Sequence, residues 1–210
     1  LQEGLGFDFN TWQAKAQIPY IYKRKAEGVE KLLYLCPACN QSSTIKSNRD
    51  KIFCSECGLT FIMDLYDNLV CKTEGFNKID SLPAWHNWEK RELRSGKKIV
   101  FPKDRGVLLQ KGFKRRFILL SKKFNLSLDG DRMVVTFKKR VPSGILKGLD
   151  SLIFDFSDIQ SMIITAKSTL EFYYKDQLWR LRVEEGRSML KYFELYNIYR
   201  EGLKEVEEED

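Results

Sequence analysis

The segments Cys36-Pro37-Ala38-Cys39 and Cys54-Ser55-Glu56-Cys57-Gly58, with fourteen residues between them, decide the fold of the first half of the chain. Each Cys-x-x-Cys pair can form a tight turn that points two thiolates to one side, and two such turns can surround one zinc ion tetrahedrally. We therefore predict a zinc ribbon in which Zn²⁺ is structural and its ligands are Cys36, Cys39, Cys54 and Cys57. Ile45 and Lys51-Ile52-Phe53 are predicted to carry the hairpin between the pairs.

Two disulfides in a secreted protein are the alternative, and they fit less well because no signal-like apolar segment precedes Cys36 in this sequence. A site with four sulfur ligands leaves no position open for water or substrate, so the metal would stabilise the fold. The fifth cysteine, Cys71, has no partner in this scheme, and the sequence does not define its role. Reduced ligand thiols indicate the cytoplasm.

Composition restricts the class of protein. The 210 residues are 43% hydrophobic and 31% charged, which is typical of one or two small globular domains. The net charge of +7 is uneven: residues 96–148 hold fifteen Lys and Arg against three Asp, and the last six residues hold five acids. A basic middle indicates an anionic partner such as phosphate, nucleic acid or anionic lipid, or else a solvated surface.

The order of patterns along the chain predicts its organisation. Leu82, Trp85, Trp88 and Leu93 fall near helical spacing, and residues 32–35 are predicted to enter the first cysteine pair as a strand. The predicted segments are an N-terminal arm with a short helix (1–31), the zinc ribbon (32–72), a Trp-rich helix with its linker (80–95), a second domain (99–204) and an acidic tail (205–210).

The second domain shows short stretches in which apolar and polar residues alternate, which predicts antiparallel strands with one buried face. The predicted strands cover 117–120, 124–128, 133–137, 152–156, 162–165, 170–175 and 179–183, followed by a helix that begins near 186–188. Seven strands and a C-terminal helix resemble a pleckstrin-homology-like or GRAM-like β-barrel. The predicted fold class is therefore α+β, mostly β, a zinc ribbon followed by that barrel; an open α+β roll is the alternative.

An ordered set of motifs extends over most of the chain. Its members are Phe9-Asn10-Thr11-Trp12-Gln13, Ile18-Pro19-Tyr20, the stretch 23–30 (KRKAEGVE), the stretch 33–39 (LYLCPAC), Trp85-His86-Asn87-Trp88 and the stretch 170–174 (LEFYY). This set resembles the region after the catalytic domain of bacterial 1-acylglycerol-3-phosphate (lysophosphatidic acid) acyltransferase-like proteins. The resemblance implies a role in phospholipid biosynthesis and an upstream acyltransferase catalytic domain as partner, in cis or in trans.

The catalytic motifs of that family are missing. The family uses His-x-x-x-x-Asp, but the single histidine here is His86 and position 91 is Arg. The Glu-Gly-Thr-Arg phosphate-binding motif is also absent, so no catalytic residue transfers. The resemblance therefore implies a non-catalytic accessory region. We expect His86 to be a half-buried helix residue between Trp85 and Trp88, although the sequence does not define its role.

The basic middle supplies candidate binding residues. In a pleckstrin-like barrel the first strands and their loops present such charge to anionic headgroups, which predicts peripheral association with the inner face of the membrane. The candidates for binding anionic lipid or a partner domain are Lys111, Lys114, Arg115, Arg116, Lys122, Lys123, Arg132, Lys138, Lys139 and Arg140.

Two other functions remain open at this stage. A zinc-ribbon nucleic-acid-binding protein could stack bases on Phe53 and Phe61. Against it, residues 36–64 hold three basic and three acidic residues, so their charge is balanced. A protein-interaction adaptor, in which both parts of the chain dock onto a catalytic domain, is compatible with the first interpretation.

Overall fold

The structure, a computed structural model, describes residues 9–138 and 148–209. Strands hold 38% of residues and helices 21%, so the predicted mostly β class is confirmed. The helices are α1 (Phe9–Ala16), α2 (Leu82–Arg94) and α3 (Leu190–Glu209). The strands are β1 (Ile45–Asn48), β2 (Lys51–Cys54), β3 (Thr60–Met63), β4 (Leu69–Cys71), β5 (Asp104–Phe113), β6 (Arg116–Ser121), β7 (Phe124–Leu128), β8 (Arg132–Phe137), β9 (Ser151–Asp155), β10 (Ile159–Thr165), β11 (Thr169–Tyr174) and β12 (Gln177–Val183).

The N-terminal module, residues 26–94, contains a four-stranded antiparallel sheet in the order β1-β2-β3-β4. Alternating residues of these strands point inward, and Ile52 and Phe61 are fully buried. Helix α2 closes this core because Trp85 packs on Phe61 with ring centroids 5.2 Å apart. Ser81 caps the helix by accepting a hydrogen bond from the Ala84 amide, and Pro83 lies in its first turn.

The predicted strand at residues 32–35 is wrong. The chain there forms a 3₁₀ turn, Val29–Lys31, followed by a single bridge between Leu35 and Ser42. The amides of Tyr34 and Leu35 instead donate to Glu89 Oε1 at 2.6 and 2.7 Å. Because a side chain of α2 takes these two donors, a strand ladder cannot form through them.

The β-domain, residues 104–209, holds the sheet β10-β11-β12-β5-β7-β8-β9, with β6 also paired to β5. The seven predicted strands are present as β6 to β12, but the sequence pattern missed β5, the ten-residue strand at the centre. Strand β5 pairs with β12 on one edge and with β6 and then β7 on the other. Gly106 permits this because a Cβ there would lie 2.0 Å from the Phe124 ring.

The sheet is open, which corrects the predicted closed barrel. Strands β9 and β10 lie at the two ends of the sheet order, and the chain joins them through the 3₁₀ turn Phe156–Asp158. The sheet nevertheless folds over its own core, because Phe154 of β9 packs edge-on against Phe172 of β11 at 5.0 Å. Helix α3 covers the opening: Tyr196 packs on Phe156 and donates its hydroxyl to the Ile159 carbonyl at 3.1 Å.

A buried polar cluster joins the two modules. Lys191 Nζ lies 2.5 Å from Asp104 Oδ2, and Tyr192 donates its hydroxyl to the same oxygen at 2.7 Å. Lys191 Nζ also lies 3.4 Å from Ser43 Oγ, and Arg187 donates to the Ser43 carbonyl at 3.3 Å. Ser43 belongs to the loop between the cysteine pairs, so the N-terminal module meets the β-domain next to its sulfur cluster. Helix α3 then continues to Glu209, through the residues predicted as an acidic tail.

Candidate metal centre and basic surfaces

The four predicted ligand cysteines come together in the N-terminal module. Their sulfur atoms all lie within 4.8 Å of one another. The Cys36–Cys57 and Cys39–Cys54 sulfur pairs are 3.6 and 3.8 Å apart. Zinc–sulfur bonds of about 2.3 Å in a tetrahedron place neighbouring sulfurs about 3.8 Å apart. The cluster therefore has the dimensions of a four-sulfur zinc site, and all four thiols are free of disulfides.

Backbone turns shape both cysteine pairs. The Asn40 amide donates to the Cys36 carbonyl at 2.8 Å, and the Gly58 amide donates to the Cys54 carbonyl at 3.1 Å. Both turns end in left-handed backbone, with φ of 57° at Asn40 and 75° at Gly58. Glycine and asparagine are the residues that adopt this conformation most readily. The sequence thus places a suitable residue just after each pair.

The surroundings of the sulfurs lower the pKa of Cys54, which favours its thiolate form, and raise the pKa of Cys36, which favours its thiol form. Burial raises the pKa of Cys36. Burial also acts to raise the pKa of Cys54, but Thr44 and the Cys57 amide outweigh it and lower that pKa to about 7. Thr44 Oγ1 lies 3.3 Å from Cys54 Sγ, within hydrogen-bonding distance. Four clustered thiols need a cation to ionise together, since like charges at this distance repel.

The cluster is part of the module's core. Cys36 and Cys54 are buried with the apolar side chains of the module, whereas Cys57 is exposed. A metal held there would join the core to the surface turn and would hold two otherwise separate turns of chain. Sulfur in all four positions gives such a metal a structural role.

His86 does not lie between the two tryptophans. Trp85 faces the core of the module, whereas the His86 side chain lies between two carboxylates: Nδ1 is 3.4 Å from Glu89 Oε2 and Nε2 is 3.4 Å from Glu194 Oε1. Hydrogen bonds to Glu194 and Glu89 raise the pKa of His86 to about 9. His86 is therefore a positively charged link between α2 and α3 at neutral pH. Its half-buried state agrees with expectation.

The predicted basic residues do not form one patch. Lys114, Arg115 and Arg116 lie at the tip of the β5–β6 hairpin. Lys122 and Lys123 lie between β6 and β7, near Lys138, because Phe124 pairs with Phe137. Lys111 packs over the Trp179 ring at 5.5 Å, and Arg132 pairs with Asp155 at 3.5 Å at the far end of β8. Lys139 and Arg140 lie outside the described residues.

The hairpin tip lines a groove of about 390 Å³ together with the β11–β12 turn. In the described part of the chain, Lys114, Arg115 and Arg116 have no carboxylate within 4.0 Å, although Asp176 also lines the groove. Tyr173 of β11 lines the groove and is 45% exposed, and Phe113 at the tip of the hairpin is 47% exposed. The groove therefore combines the exposed Tyr173 ring and the partly exposed Phe117 ring with three cations that have no ion pair among the described residues. We call residues 113–116 the basic tip.

The two aromatic residues considered for base stacking are in different environments. Phe61 is fully buried between Phe76 and Trp85, so it cannot stack on a base. Phe53 is partly exposed, and Lys51 Nζ lies 5.2 Å from its ring centroid. Cys71 ends β4 and donates its thiol to the Thr73 carbonyl at 3.5 Å.

Sequence reasoning missed the residues that join the modules. Glu89, Asp104 and Lys191 are each 0% exposed, yet each sits in a stretch of ordinary charged surface composition. For Glu89, the helical spacing from Trp85 could have indicated burial, because residues four apart lie on one face of a helix and Trp85 is expected to face the core. Asp104 and Lys191 are 87 residues apart in the sequence, so the local pattern around either residue does not predict their contact.

Comparisons with known proteins leave the family open, since neither family models nor curated proteins match this chain. None of the helices in the described ranges combines the length and the apolar character needed to cross a bilayer.

Proposed function

We propose that this chain is the non-catalytic accessory region of a lysophosphatidic-acid-acyltransferase-like protein that acts in phospholipid biosynthesis. In this proposal Zn²⁺ on Cys36, Cys39, Cys54 and Cys57 holds the N-terminal module as a zinc ribbon. In this proposal the β-domain is a pleckstrin- or GRAM-like domain in which the end strands β9 and β10 do not pair and α3 covers the opening. The strand order and the covering helix support that assignment, and the motif set of the sequence supports the family.

The observation that carries the membrane role is the basic tip. Lys114, Arg115 and Arg116 have no acidic partner within reach among the described residues, so they are available to anionic headgroups. Each such residue near an anionic bilayer contributes about 1 kcal/mol. The exposed Phe113 ring stands beside them, and aromatic side chains favour the membrane interface. The tip would hold the protein on the surface where a lipid substrate lies.

Vesicle flotation tests this role. The native protein should float with vesicles containing anionic lipid and stay behind with neutral vesicles. Replacing Lys114, Arg115 and Arg116 by Gln should weaken binding about 100-fold, because three contributions of about 1 kcal/mol are lost. The matched control replaces Lys72, Lys78 and Lys98 by Gln, which removes the same charge from exposed positions with no ion pair within 4.0 Å in the described structure.

Two results would contradict the proposal. If the native protein were recovered equally with neutral and with anionic vesicles, the proposed binding of anionic lipid would be wrong. If both triple variants lost vesicle binding equally, the binding would depend on the net charge of the protein and not on the basic tip. Salt-dependent binding of DNA or RNA that requires the basic tip would favour the nucleic-acid alternative. For the non-catalytic part, purified chain incubated with lysophosphatidic acid and an acyl donor should yield no phosphatidic acid, and turnover would refute it.

A further inference from the structure

A second cavity, of about 400 Å³, lies where the N-terminal module meets the β-domain. Lys31 of the 3₁₀ turn forms one side, and Lys167 and Ser168 of the β10–β11 turn form another. The apolar part of the lining, which we call the apolar base, comes from Val107 of β5, Val183 of β12 and Met189 before α3, and of these Val183 and Met189 are almost fully buried. Its size falls in the range of small-ligand pockets, about 300–1,000 Å³.

This cavity is remote from the basic tip. The groove at the tip is lined by Gln177 and Leu178 at the start of β12, whereas the junction cavity is lined by Arg182 and Val183 at its end. A seven-residue strand separates its two ends by about 20 Å. The two sites can therefore be tested independently, and this inference does not rest on the proposed membrane role.

Docking of the two modules builds the cavity. Ser188 donates its hydroxyl to the Lys31 carbonyl at 2.8 Å, which fixes the 3₁₀ turn against the start of α3. Arg182 is fixed by its place in β12, opposite Leu108 of β5. The Arg182 side chain is thus carried by a strand that hydrogen bonds hold in place, and a site preorganised in this way loses little entropy on binding.

The charges of the cavity are only partly compensated. Lys31 pairs with Glu185 at 3.5 Å, and Arg187 lies 3.6 Å from the buried Asp104. Glu184 lies 3.9 Å from Arg105. Within residues 9–138 and 148–209, Arg182 and Lys167 have no carboxylate within 4.0 Å. Two unpaired cations and the Ser168 hydroxyl therefore line a concave site with an apolar base.

We propose that the junction cavity binds a phosphomonoester, with Arg182 and Lys167 on the phosphate and an apolar substituent on Val107, Val183 and Met189. A guanidinium group suits a phosphate because its planar fork donates two parallel hydrogen bonds. A lysine adds a compact charge, and the hydroxyl adds a further donor. The apolar base favours a ligand with a carbon substituent over inorganic phosphate.

Calorimetric titration with phenyl phosphate and with inorganic phosphate tests this site. Phenyl phosphate should bind more tightly than inorganic phosphate. Arg182→Gln should weaken phenyl phosphate binding about tenfold or more, because a hydrogen bond to a charged group is lost. Val107→Thr should weaken phenyl phosphate about fourfold, through loss of one buried methyl group, and should leave inorganic phosphate unchanged. Arg91→Gln, at an exposed position of α2 outside both proposed sites, is the matched control and should bind as the native protein does.

A second variant guards against misfolding of Arg182→Gln. Lys167→Asn lies on an exposed turn with φ of 59°, a conformation that asparagine accepts, and should also weaken binding about tenfold. Vesicles containing phosphatidic acid form a further arm, measured in a protein whose Lys114, Arg115 and Arg116 are already replaced by Gln. Capture that the further change Arg182→Gln abolishes, while Arg91→Gln keeps it, would identify a lipid headgroup as the source of the phosphate. Absence of saturable phenyl phosphate binding tighter than about 1 mM, together with no such capture, overturns the proposal. So does native affinity in both folded variants.

Discussion

The two modules are stabilised by different means. Among the described residues, the core of the N-terminal module holds thirteen buried apolar side chains, and Cys36 and Cys54 are two of them. The core of the β-domain holds eighteen, without any cysteine, and contains aromatic rings packed edge-to-face, such as Phe154 against Trp179. A small core that includes the sulfur cluster would gain stability from a metal bound to that cluster, whereas the larger core can depend on packing alone.

The difference between the two cores has a consequence for the junction between the modules, because the junction depends on the order of the N-terminal module. Ser43 contacts α3 from the loop between the cysteine pairs, and Glu89 of α2 binds the backbone just before Cys36. The N-terminal module supplies its half of the junction through Ser43 and Lys31, which contact Arg187, Ser188 and Lys191 of the β-domain. Loss of its order would remove those contacts while leaving the strand pairs of the β-domain intact.

The largest expected effect is on the metal cluster. Cys36→Ser should remove one sulfur ligand, and structural zinc contributes roughly 10–16 kcal/mol of apparent binding free energy. We expect amide protection against hydrogen exchange to be lost in residues 26–94 and largely retained in β5–β12. Chelation of the metal from the native protein should give the same pattern.

Cys71→Ser is the matched control, since its thiol only donates to a nearby carbonyl. It should keep both the bound metal and the protection pattern. If purified, reduced native protein contained no metal, or if Cys36→Ser kept full protection in the N-terminal module, the contrast between the modules would be wrong.

The next largest effect is expected at the junction. Asp104→Ala would leave Lys191 buried without its carboxylate, which costs about 3–5 kcal/mol of unfolding free energy. Burial lowers the pKa of Lys191 and Asp104 opposes that shift, so the variant lysine should lose its proton more readily. Urea denaturation measures the loss.

Two further variants sharpen that measurement. Arg105→Ala, at the neighbouring exposed position, should cost under about 1 kcal/mol. Replacing Asp104 by Leu and Lys191 by Met together should recover most of the loss, since apolar side chains can replace a buried ion pair. If Asp104→Ala and Arg105→Ala were equally stable, the buried pair would have no structural role.

Local pattern was enough to predict the cluster of four cysteines, the strands β6 to β12 and the helix after them. It failed for β5, because Gly106 and Gly112 and an uneven order of polar residues hide the alternation. It also failed for the strand predicted at residues 32–35, where Glu89 takes the backbone donors. The error at β5 comes from its local composition, whereas the error at residues 32–35 comes from a contact between distant segments, which periodicity does not contain.

A smaller effect is expected at Glu89. Glu89→Ala would leave the amides of Tyr34 and Leu35 buried without an acceptor, at about 1–3 kcal/mol for an unsatisfied group. The loss should be confined to the N-terminal module, measured as faster amide exchange there. Glu89→Gln keeps an acceptor and should lose less, whereas Glu92→Ala on the same helix should be near neutral. Equal losses for Glu89→Ala and Glu92→Ala would contradict the assigned contacts.

The smallest expected effect is a dependence on pH at His86. Hydrogen bonds to Glu194 and Glu89 raise its pKa from 6.5 to about 9, so protonation stabilises the folded state. This contribution is complete below about pH 6.5 and is lost as the pH rises through 9. Lys90, 3.4 Å from Glu194, and the Tyr34 ring also face this group. Burial raises the pKa of Glu89 from 4.5 to about 7. Ionisation of Glu89 therefore destabilises the folded state mainly as the pH rises from 4.5 to 7, below most of the interval in which His86 loses its proton.

Comparison of the native protein with His86→Gln isolates the histidine. The native free energy of unfolding should fall by about 1–2 kcal/mol between pH 6.5 and 9, and the variant should show a flatter profile over the same interval. The difference should appear in the exchange of α2 and α3, because His86 links these helices and touches neither the sulfur cluster nor the β-domain core. Parallel profiles for the two proteins would show that the link carries no proton-dependent stability, and the contacts of Ser43 and Lys31 with residues 187–191 would then be enough to hold the modules together.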